Sequence, residues 1–247
     1  EALVKIFQVC GGTARSAKIS GLRVLAVIAK QGKSNMSAQT LTLMIQTTLP
    51  RLSDKDLETR RAAADVVAHL DAAKTMPVLI SLLDSKDAGE QSAATEAIVS
   101  TMEFQRSSFE AVETYLRTLC TPSIWGSNDE AVVRERLTRA VKVLGRFAEK
   151  VREDEWVGVV RLIVEMIFEA PSSSALHQAF VTLSPWMGKP PANRAILDAC
   201  TRHLLKQSDD KGSDESDVFN RLGPLLILRA LPVEAWDENA DAARDIE

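Results

Sequence analysis

The sequence contains few aromatic, histidine and cysteine residues. Aromatics make up 5% of the 247 residues, with a single tyrosine, and there are three histidines and three cysteines. Because Cys10, Cys120 and Cys200 lie far apart, they predict no disulfide framework and favour a reducing compartment. No apolar run approaches the roughly 20 residues that a membrane-spanning helix requires, and no signal peptide is recognisable. These absences predict a cytoplasmic or nuclear protein without a membrane span.

The few reactive side chains do not form a catalytic or metal-binding motif. None of His69, His177 and His203 belongs to an HExxH pair, which the common zinc hydrolases require. Cys200 and His203 lie one helical turn apart, but two ligands are fewer than a metal site needs. No glycine-rich phosphate loop and no GxSxG nucleophile elbow is present. The sequence therefore predicts a protein that is not an enzyme and holds neither a metal nor another cofactor.

Charge is distributed unevenly along the chain. Residues 2–53 contain seven basic residues and no acidic one, whereas residues 207–247 contain eleven acidic and four basic residues, and the whole chain carries −4. The acid-free N-terminal part is a candidate for nucleic-acid contact, which is the alternative to a protein partner. The acidic pI of about 5.6 and the lack of aromatics among the basic residues favour a protein partner.

Helical periodicity runs through the whole sequence. Apolar residues recur at spacings of three and four, and Gly, Pro, Ser or Asp separates the segments. The sequence contains neither a sustained alternation of apolar and polar residues nor a hairpin-turn motif, the two signals that would indicate a strand. The pattern predicts an all-α chain of about six helix pairs. The predicted pairs are 2–9 with 15–31, 37–52 with 56–71, 75–84 with 88–103, 108–120 with 129–150, 154–169 with 173–187, and 192–207 with 216–231.

Several helix boundaries follow from individual residues. Ser37 is expected to cap the helix after it, because its hydroxyl can accept a hydrogen bond from an unpaired backbone N–H. Pro77 is expected in a first helical turn, where its missing N–H costs nothing. Residues 188–191, with two prolines, predict a break. Residues 207–217 are too polar to pack in a core and predict an acidic mobile loop.

One repeat can be read directly from the sequence. Residues 52–67 align without gaps to residues 83–98, at an offset of 31. The identical pairs include Lys55 and Lys86, Asp56 and Asp87, Ala62 and Ala93, and Ala63 and Ala94. Asp54 and Arg60 lie six residues apart, and Asn128 and Arg134 repeat that spacing, whereas Ser85 and Gln91 replace the charged partners in the third pair.

This pattern resembles the HEAT repeat of the HEAT/armadillo superfamily. In that family an apolar first helix ends in a short Asp-containing turn, and an Arg then opens a second helix with paired alanines. The resemblance implies one α-α superhelix, a solenoid over residues 1–247 that is expected to be a segment of a longer chain. It also implies a non-catalytic scaffold or adaptor in a larger complex, which binds extended partners along the concave wall of second helices.

Basic residues on the predicted second helices are the candidates for partner binding. Their expected role is charge pairing with an acidic or extended segment of another protein. The candidates are Arg60, Arg61, Arg139, Lys142 and Arg146. Glu135 and Glu149 partly neutralise the last three, so a solvated surface without a partner remains an alternative. The oligomeric state stays open.

Overall fold

The computed structural model describes most of the first half of the chain and shorter stretches of the second. The described residues are 2–32, 36–105, 109–119, 138–139, 142–168, 183, 186, 190–209, 224–225, 227–229 and 231. These residues contain helices and turns and no strand. The chain divides into two compact units, Glu1–Thr118 and Leu119–Glu247, and each is described by itself.

The first unit is built from helices joined by short polar turns. In chain order these are α1 (Ala2–Gly11), α2 (Arg15–Gly32), α3 (Ala38–Thr48), a 3₁₀ segment (Leu49–Ser53), α4 (Leu57–Ala68), α5 (Ala72–Leu83), α6 (Ala88–Phe104) and α7 (Glu110–Leu119). The predicted pairs 2–9 with 15–31 and 37–52 with 56–71 match the first four helices, and the prediction for α6 is correct to within one residue.

The packing order within this unit is that of a helical solenoid. Helices α1 and α2 form one packed pair, α3 with its 3₁₀ segment and α4 the next, and α5 and α6 the third. The second helix of each pair contacts the second helix of the following pair, so α2 packs on α4 and α4 on α6. Each pair thus buries its apolar surface against its neighbour and not in one central core. In the first unit, this stacking is that of the all-α helical-repeat solenoid that the sequence predicts.

Small residues occupy one equivalent position in the three second helices, and at Gly21 this position meets the first helix of the same pair. Gly21, Ala63 and Ala94 stand at the same distance from the starts of α2, α4 and α6, and all three are buried. A Cβ atom on Gly21 would lie 2.8 Å from the Sγ of buried Cys10 in α1. A side chain larger than hydrogen at this position would therefore force the Cys10 side chain or α1 to shift.

The helix starts confirm one prediction and correct another. The Ser37 hydroxyl caps α3, accepting a hydrogen bond from the Thr40 N–H at 3.2 Å. The prediction for Pro77 was wrong. Asp71 caps α5 by accepting from the Ala73 N–H, so the helix begins at Ala72 and Pro77 lies in its second turn. The proline is tolerated because the Ala73 carbonyl, which loses its helical donor, belongs to an exposed residue.

The second unit contains a packed pair of long helices, α8 (Glu153–Phe168) and α9 (Pro190–Asp209). The two prolines at which the sequence predicts a break are the first two residues of α9. At a helix start the missing N–H of proline removes no helical hydrogen bond. Residues 142–148 are also helical, and Phe147 packs edge-on against Trp186 with ring centroids 6.4 Å apart. Because α9 reaches Asp209, the first three residues of the predicted loop 207–217 are helical. The rest of that loop and most of the predicted helices 173–187 and 216–231 lie outside the described residues.

Each unit encloses a buried thiol. Cys10 and Cys200 are fully buried and form no disulfide. Burial raises the pKa of Cys10, against the opposing effect of the Arg51 charge. Burial also raises the pKa of Cys200, to about 12.

Substitution of Gly21 by Ala tests the close α1–α2 contact. The added methyl group overlaps the Cys10 Sγ, so we expect the free energy of unfolding to fall by about 1–3 kcal/mol. The measurement is urea denaturation followed by circular dichroism. Gly11→Ala is the control, since a Cβ there meets no atom within 4 Å. Combining Gly21→Ala with Cys10→Ala should restore most of the loss; an unchanged loss would contradict the proposed overlap.

Candidate functional site

The turn before α4 is organised around Asp54. Its carboxylate receives a hydrogen bond from the Lys18 Nζ of α2 at 2.7 Å, and Arg51 Nη1 lies 3.8 Å from the same oxygen. The side chains of Lys18 and Asp54 are only 13% and 12% exposed. Burial acts to raise the pKa of Asp54, but the Lys18 hydrogen bond, the Asp56 N–H and the two positive charges outweigh it and lower the pKa. The pair is a charged link between the first repeat and the second.

Arg60 is committed to the same turn. Its Nη1 donates to the backbone carbonyls of Asp54 at 2.8 Å and Lys55 at 3.2 Å. Its guanidinium also lies against the third repeat, because a Cβ on Gly89 would come within 3.1 Å of Nη2. The side chain is half-buried. The structure therefore places Arg60, a predicted partner-binding residue, in the turn and against the next helix.

A second set of ion pairs joins this turn to α2. Arg15 of α2 forms ion pairs with Asp56 at 2.9 Å and with Glu58 at 3.0 Å. Asp56 also caps α4, accepting hydrogen bonds from the Thr59 hydroxyl and N–H. The pKa of Asp56 is lowered, above all by the hydrogen bond from the Thr59 hydroxyl and further by the Thr59 N–H and Arg15. Partial desolvation of Asp56 opposes this shift. The acidic residues of the second repeat thus neutralise three basic residues of the acid-free segment: Arg15, Lys18 and Arg51.

The third repeat keeps the turn geometry but loses the charge, as the sequence predicts. Gln91 Nε2 donates to the Ser85 carbonyl at 2.6 Å, which reproduces the bond from Arg60 to the carbonyl six residues before it. Asp87 caps α6 through the N–H groups of Gly89 and Glu90. In the third repeat the position of Asp54 is occupied by Ser85, which has no carboxylate. The ion pair between Lys18 and Asp54, which joins the first repeat to the second, therefore has no equivalent between Arg60 and Ser85.

Exposed side chains of α2, α4 and α6 form a surface that we call the second-helix wall. Arg23, Asp65 and Glu96 occupy equivalent positions in the three helices and are exposed in each. Arg61, a predicted partner-binding residue, is also exposed on this wall, one turn before Asp65. The wall of the first unit therefore carries both signs of charge.

The other three predicted partner-binding residues belong to the second unit. Lys142 and Arg146 are exposed and lie one turn apart on the helical residues 142–148. The opposite side of that segment is buried through Leu144 and Phe147. Arg139 is half-buried. Lys142 and Arg146 thus form an exposed basic pair on one helix face, whereas Arg60 and Arg61 lie in the first unit.

The structure brings together residues that sequence reasoning did not connect. The His69 ring packs edge-on against Phe104 with centroids 4.1 Å apart, and its Nε2 lies 3.8 Å from Asp65. Burial lowers the pKa of His69, partly offset by Asp65 and reinforced by the positive charge of Lys30. Nearby, Gln105 Nε2 donates to the carbonyl of Leu70 at 2.9 Å. No local sequence signal predicts the contact of His69 with Phe104 or that of Gln105 with Leu70, because the partners in each are 35 residues apart.

No group of three or more His, Cys, Asp or Glu side chains that could hold a metal ion occurs within the described part of the chain. The same residues include no helix that is both long enough and apolar enough to cross a membrane. The described residues offer exposed charged and apolar side chains.

No family model and no curated protein matches the chain. Similar solved structures include an engineered protein with 19% identity and a TM-score of 0.33, covering 93% of this chain and 97% of that one. The designed armadillo repeat protein YIII(Dq)4CqI has 17% identity and a TM-score of 0.32, covering 92% and 99%. A designed armadillo repeat protein, YIII(Dq.V1)4CPAF, in complex with the peptide (KR)4 has 16% identity and a TM-score of 0.32, covering 92% and 99%. The assignment of the fold rests on the helix packing of the first unit.

Substitution of Asp54 by Asn tests the link between the first two repeats. At neutral pH it leaves the Lys18 ammonium without a carboxylate, and we expect a loss of about 1–3 kcal/mol in the free energy of unfolding. Because folding lowers the pKa of Asp54, its carboxylate stabilises the protein above the ordinary pKa of about 4, and this stabilisation is lost as pH falls through the lowered pKa. The difference between wild type and variant should shrink below about pH 4.

The measurement is thermal unfolding of both proteins between neutral pH and pH 3. The control is Asp198→Asn on the exposed surface of α9, for which little change is expected. A constant difference between wild type and Asp54→Asn at every pH would show that the ion pair is not the source of the stabilisation.

Proposed function

We propose that the chain is a non-catalytic interaction scaffold or adaptor in a larger complex, and that it binds extended acidic segments of other proteins along its second helices. The observation that carries this proposal is the stacking of α2, α4 and α6, which presents equivalent exposed positions at regular intervals. A repeating surface of this kind suits an extended chain, because each helix can contact a successive part of the partner. A cytoplasmic or nuclear location is part of the same proposal.

The distribution of charge favours particular basic residues as contacts. Arg15, Lys18 and Arg51 already face acidic groups of the second repeat. Arg61 is exposed on the second-helix wall of the first unit, and Lys142 and Arg146 are exposed in the second unit. Charges that keep their hydration in the unbound protein can exchange water for a partner carboxylate at little cost, whereas a buried pair would first have to break.

Arg60 and Arg139 are proposed to have supporting roles. The guanidinium of Arg60 holds the turn before α4 and touches α6, so it keeps Arg61 on a defined face of its helix. Arg139 is half-buried, one helical turn before Lys142. In this division, the exposed residues contact the partner and the half-buried ones position them.

Nucleic acid is the second candidate partner, and the acid-free segment of residues 2–53 is the observation that favours it. Only part of that positive charge is available, because three of its seven basic residues pair with acidic groups of the second repeat. Nucleic-acid affinity depends on the number of phosphates neutralised. The internal pairing therefore favours the protein partner.

Charge reversal tests the proposed contacts. The variant combines Arg61→Glu, Lys142→Glu and Arg146→Glu, and the probe is a labelled 16-residue peptide of alternating Glu and Ser. Each exposed ion pair contributes up to about 1 kcal/mol, so we expect the dissociation constant to rise at least about tenfold in fluorescence anisotropy. The matched control reverses Lys55, Lys74 and Lys86, which are exposed in turns or on a first helix.

Two results would oppose the proposal. Equal weakening in the matched control would assign the binding to net charge and not to the second helices. Tighter binding of a single-stranded DNA of equal charge, with a steep dependence on salt, would favour nucleic acid as the partner.

A further inference from the structure

Equivalent positions of the second-helix wall change the sign of their charge from the first repeat to the third. Arg23, Asp65 and Glu96 each stand eight residues after the start of their helix, and all three are exposed. This exposure does not depend on where a helix lies in the stack, because α4 packs between α2 and α6 and its Asp65 side chain is still 65% exposed. The order along the wall is therefore positive, negative, negative.

The composition of the three helices follows the same order. Helix α2 contains four basic residues and no acidic one, whereas α6 contains three acidic residues and no basic one. Helix α4, which lies between them, contains two residues of each sign. The change of sign at the equivalent positions thus reflects a change across whole helices. A partner that crosses the wall meets positive charge on α2 and negative charge on α6.

The charges at the three positions are not neutralised within the described part of the chain. No ion pair joins Arg23 or Glu96 to another side chain there. Asp65 lies 3.8 Å from His69 Nε2, but burial lowers the pKa of His69, so the ring is uncharged at neutral pH. The positive charge of Lys30 in α2 acts on the same ring. The basic side of α2 and the acidic side of α4 therefore adjoin at His69.

The spacing of the helices selects the conformation of a partner that contacts all three. The axes of packed helices lie about 8–10 Å apart. In a polyproline II segment every third side chain lies on one face, and the rise of about 3.1 Å per residue separates these side chains by about 9 Å. In a β-strand the side chains of one face recur at about 7 Å, which matches the helices less well. A polyproline II segment thus places every third residue opposite a successive second helix.

We propose that the wall of the first unit binds a polyproline II segment of a partner protein, in which one acidic and two basic residues occupy every third position and the acidic one is at an end. The carboxylate contacts Arg23, and the two basic side chains contact Asp65 and Glu96. This inference rests on the proposed function and refines its partner, which is acidic where it crosses α2 and basic where it crosses α4 and α6. Arg61 lies one turn away from this path and is left to a carboxylate from another part of the partner.

Three peptides of one composition, with both ends blocked, test the order of charge. They are Glu-Pro-Pro-Lys-Pro-Pro-Lys, its reverse, and Lys-Pro-Pro-Glu-Pro-Pro-Lys, in which the acidic residue is central. The prolines hold all three in the polyproline II form, and net charge and spacing are identical. The measurement is an NMR titration of the isotope-labelled whole chain at low salt, where screening is weak. We expect the tighter of the two peptides with a terminal Glu to bind at least about fivefold more tightly than the peptide with a central Glu.

The positions of the shifted resonances separate failure of the charge order from failure of the proposed function. Equal affinity of the three peptides, with shifts confined to α2, α4 and α6, would overturn the charge order and leave the wall as a binding surface. Shifts elsewhere, or no shifts with any peptide, would overturn the charge order and also oppose the wall as the binding surface. A peptide with Ala in place of every Pro should bind more weakly, because it is not preorganised; equal or tighter binding would overturn the polyproline II conformation.

A double charge exchange on the wall should change which peptide binds best. Arg23→Glu combined with Asp65→Lys keeps the net charge and gives the order negative, positive, negative, so we expect the peptide with the central Glu to become the tightest of the three. Lys55→Glu combined with Asp198→Lys is the matched control, since these exposed residues lie outside the wall, in a turn and on α9. The control should keep the wild-type preference. An unchanged preference in the wall variant, or the same reversal in the control, would contradict the assignment to these positions.

Discussion

The close stacking of each helix pair on the next is the contact on which the rest of the first unit depends. No pair can bury its apolar stripe alone, so the second helices must approach one another and their own first helices closely. At Gly21 the absence of a side chain makes the close approach of α2 to α1 sterically feasible. The stacking also fixes where the turns lie, because each turn meets the start of a second helix. The polar contacts and the exposed wall are consequences of that geometry.

The polar turns show how one backbone arrangement can be held by different chemistry. In the second repeat a charged guanidinium binds the carbonyl six residues earlier, and in the third a neutral amide makes the same bond. The carboxylate of Asp54 adds a link to the first repeat through Lys18, which Ser85 cannot provide to Arg60. The turn therefore keeps its shape between these repeats, while the ionic link between neighbours is specific to the first junction. This use of positive charge inside the fold reduces what α2 can offer to an outside partner.

The sequence predicted the helical class, the repeat offset and most boundaries of the first unit, because apolar spacing and cap residues are local signals. It placed Pro77 in the wrong turn of α5, because several nearby polar residues could cap this helix and the sequence does not show that Asp71 is the one that does. It did not show that the Arg60 side chain binds backbone carbonyls of the turn, because a basic residue type does not show whether its side chain reaches water or a carbonyl. The contact of His69 with Phe104 could not be read from spacing, as it requires the register between two helix pairs. The exposure of Arg61 was consistent with its position on the second-helix wall.

The two buried cysteines have a consequence for chemistry at the protein surface. A thiol reacts with alkylating reagents and oxidants as the thiolate, and burial disfavours that form at Cys10 and at Cys200. Both sulfur atoms are also shielded from reagents in the folded state. Since the two thiols belong to different compact units, the speed at which each becomes modified reports how often its own unit opens. The thiols of Cys10 and Cys200 can thus serve as native probes that distinguish local opening of one unit from local opening of the other.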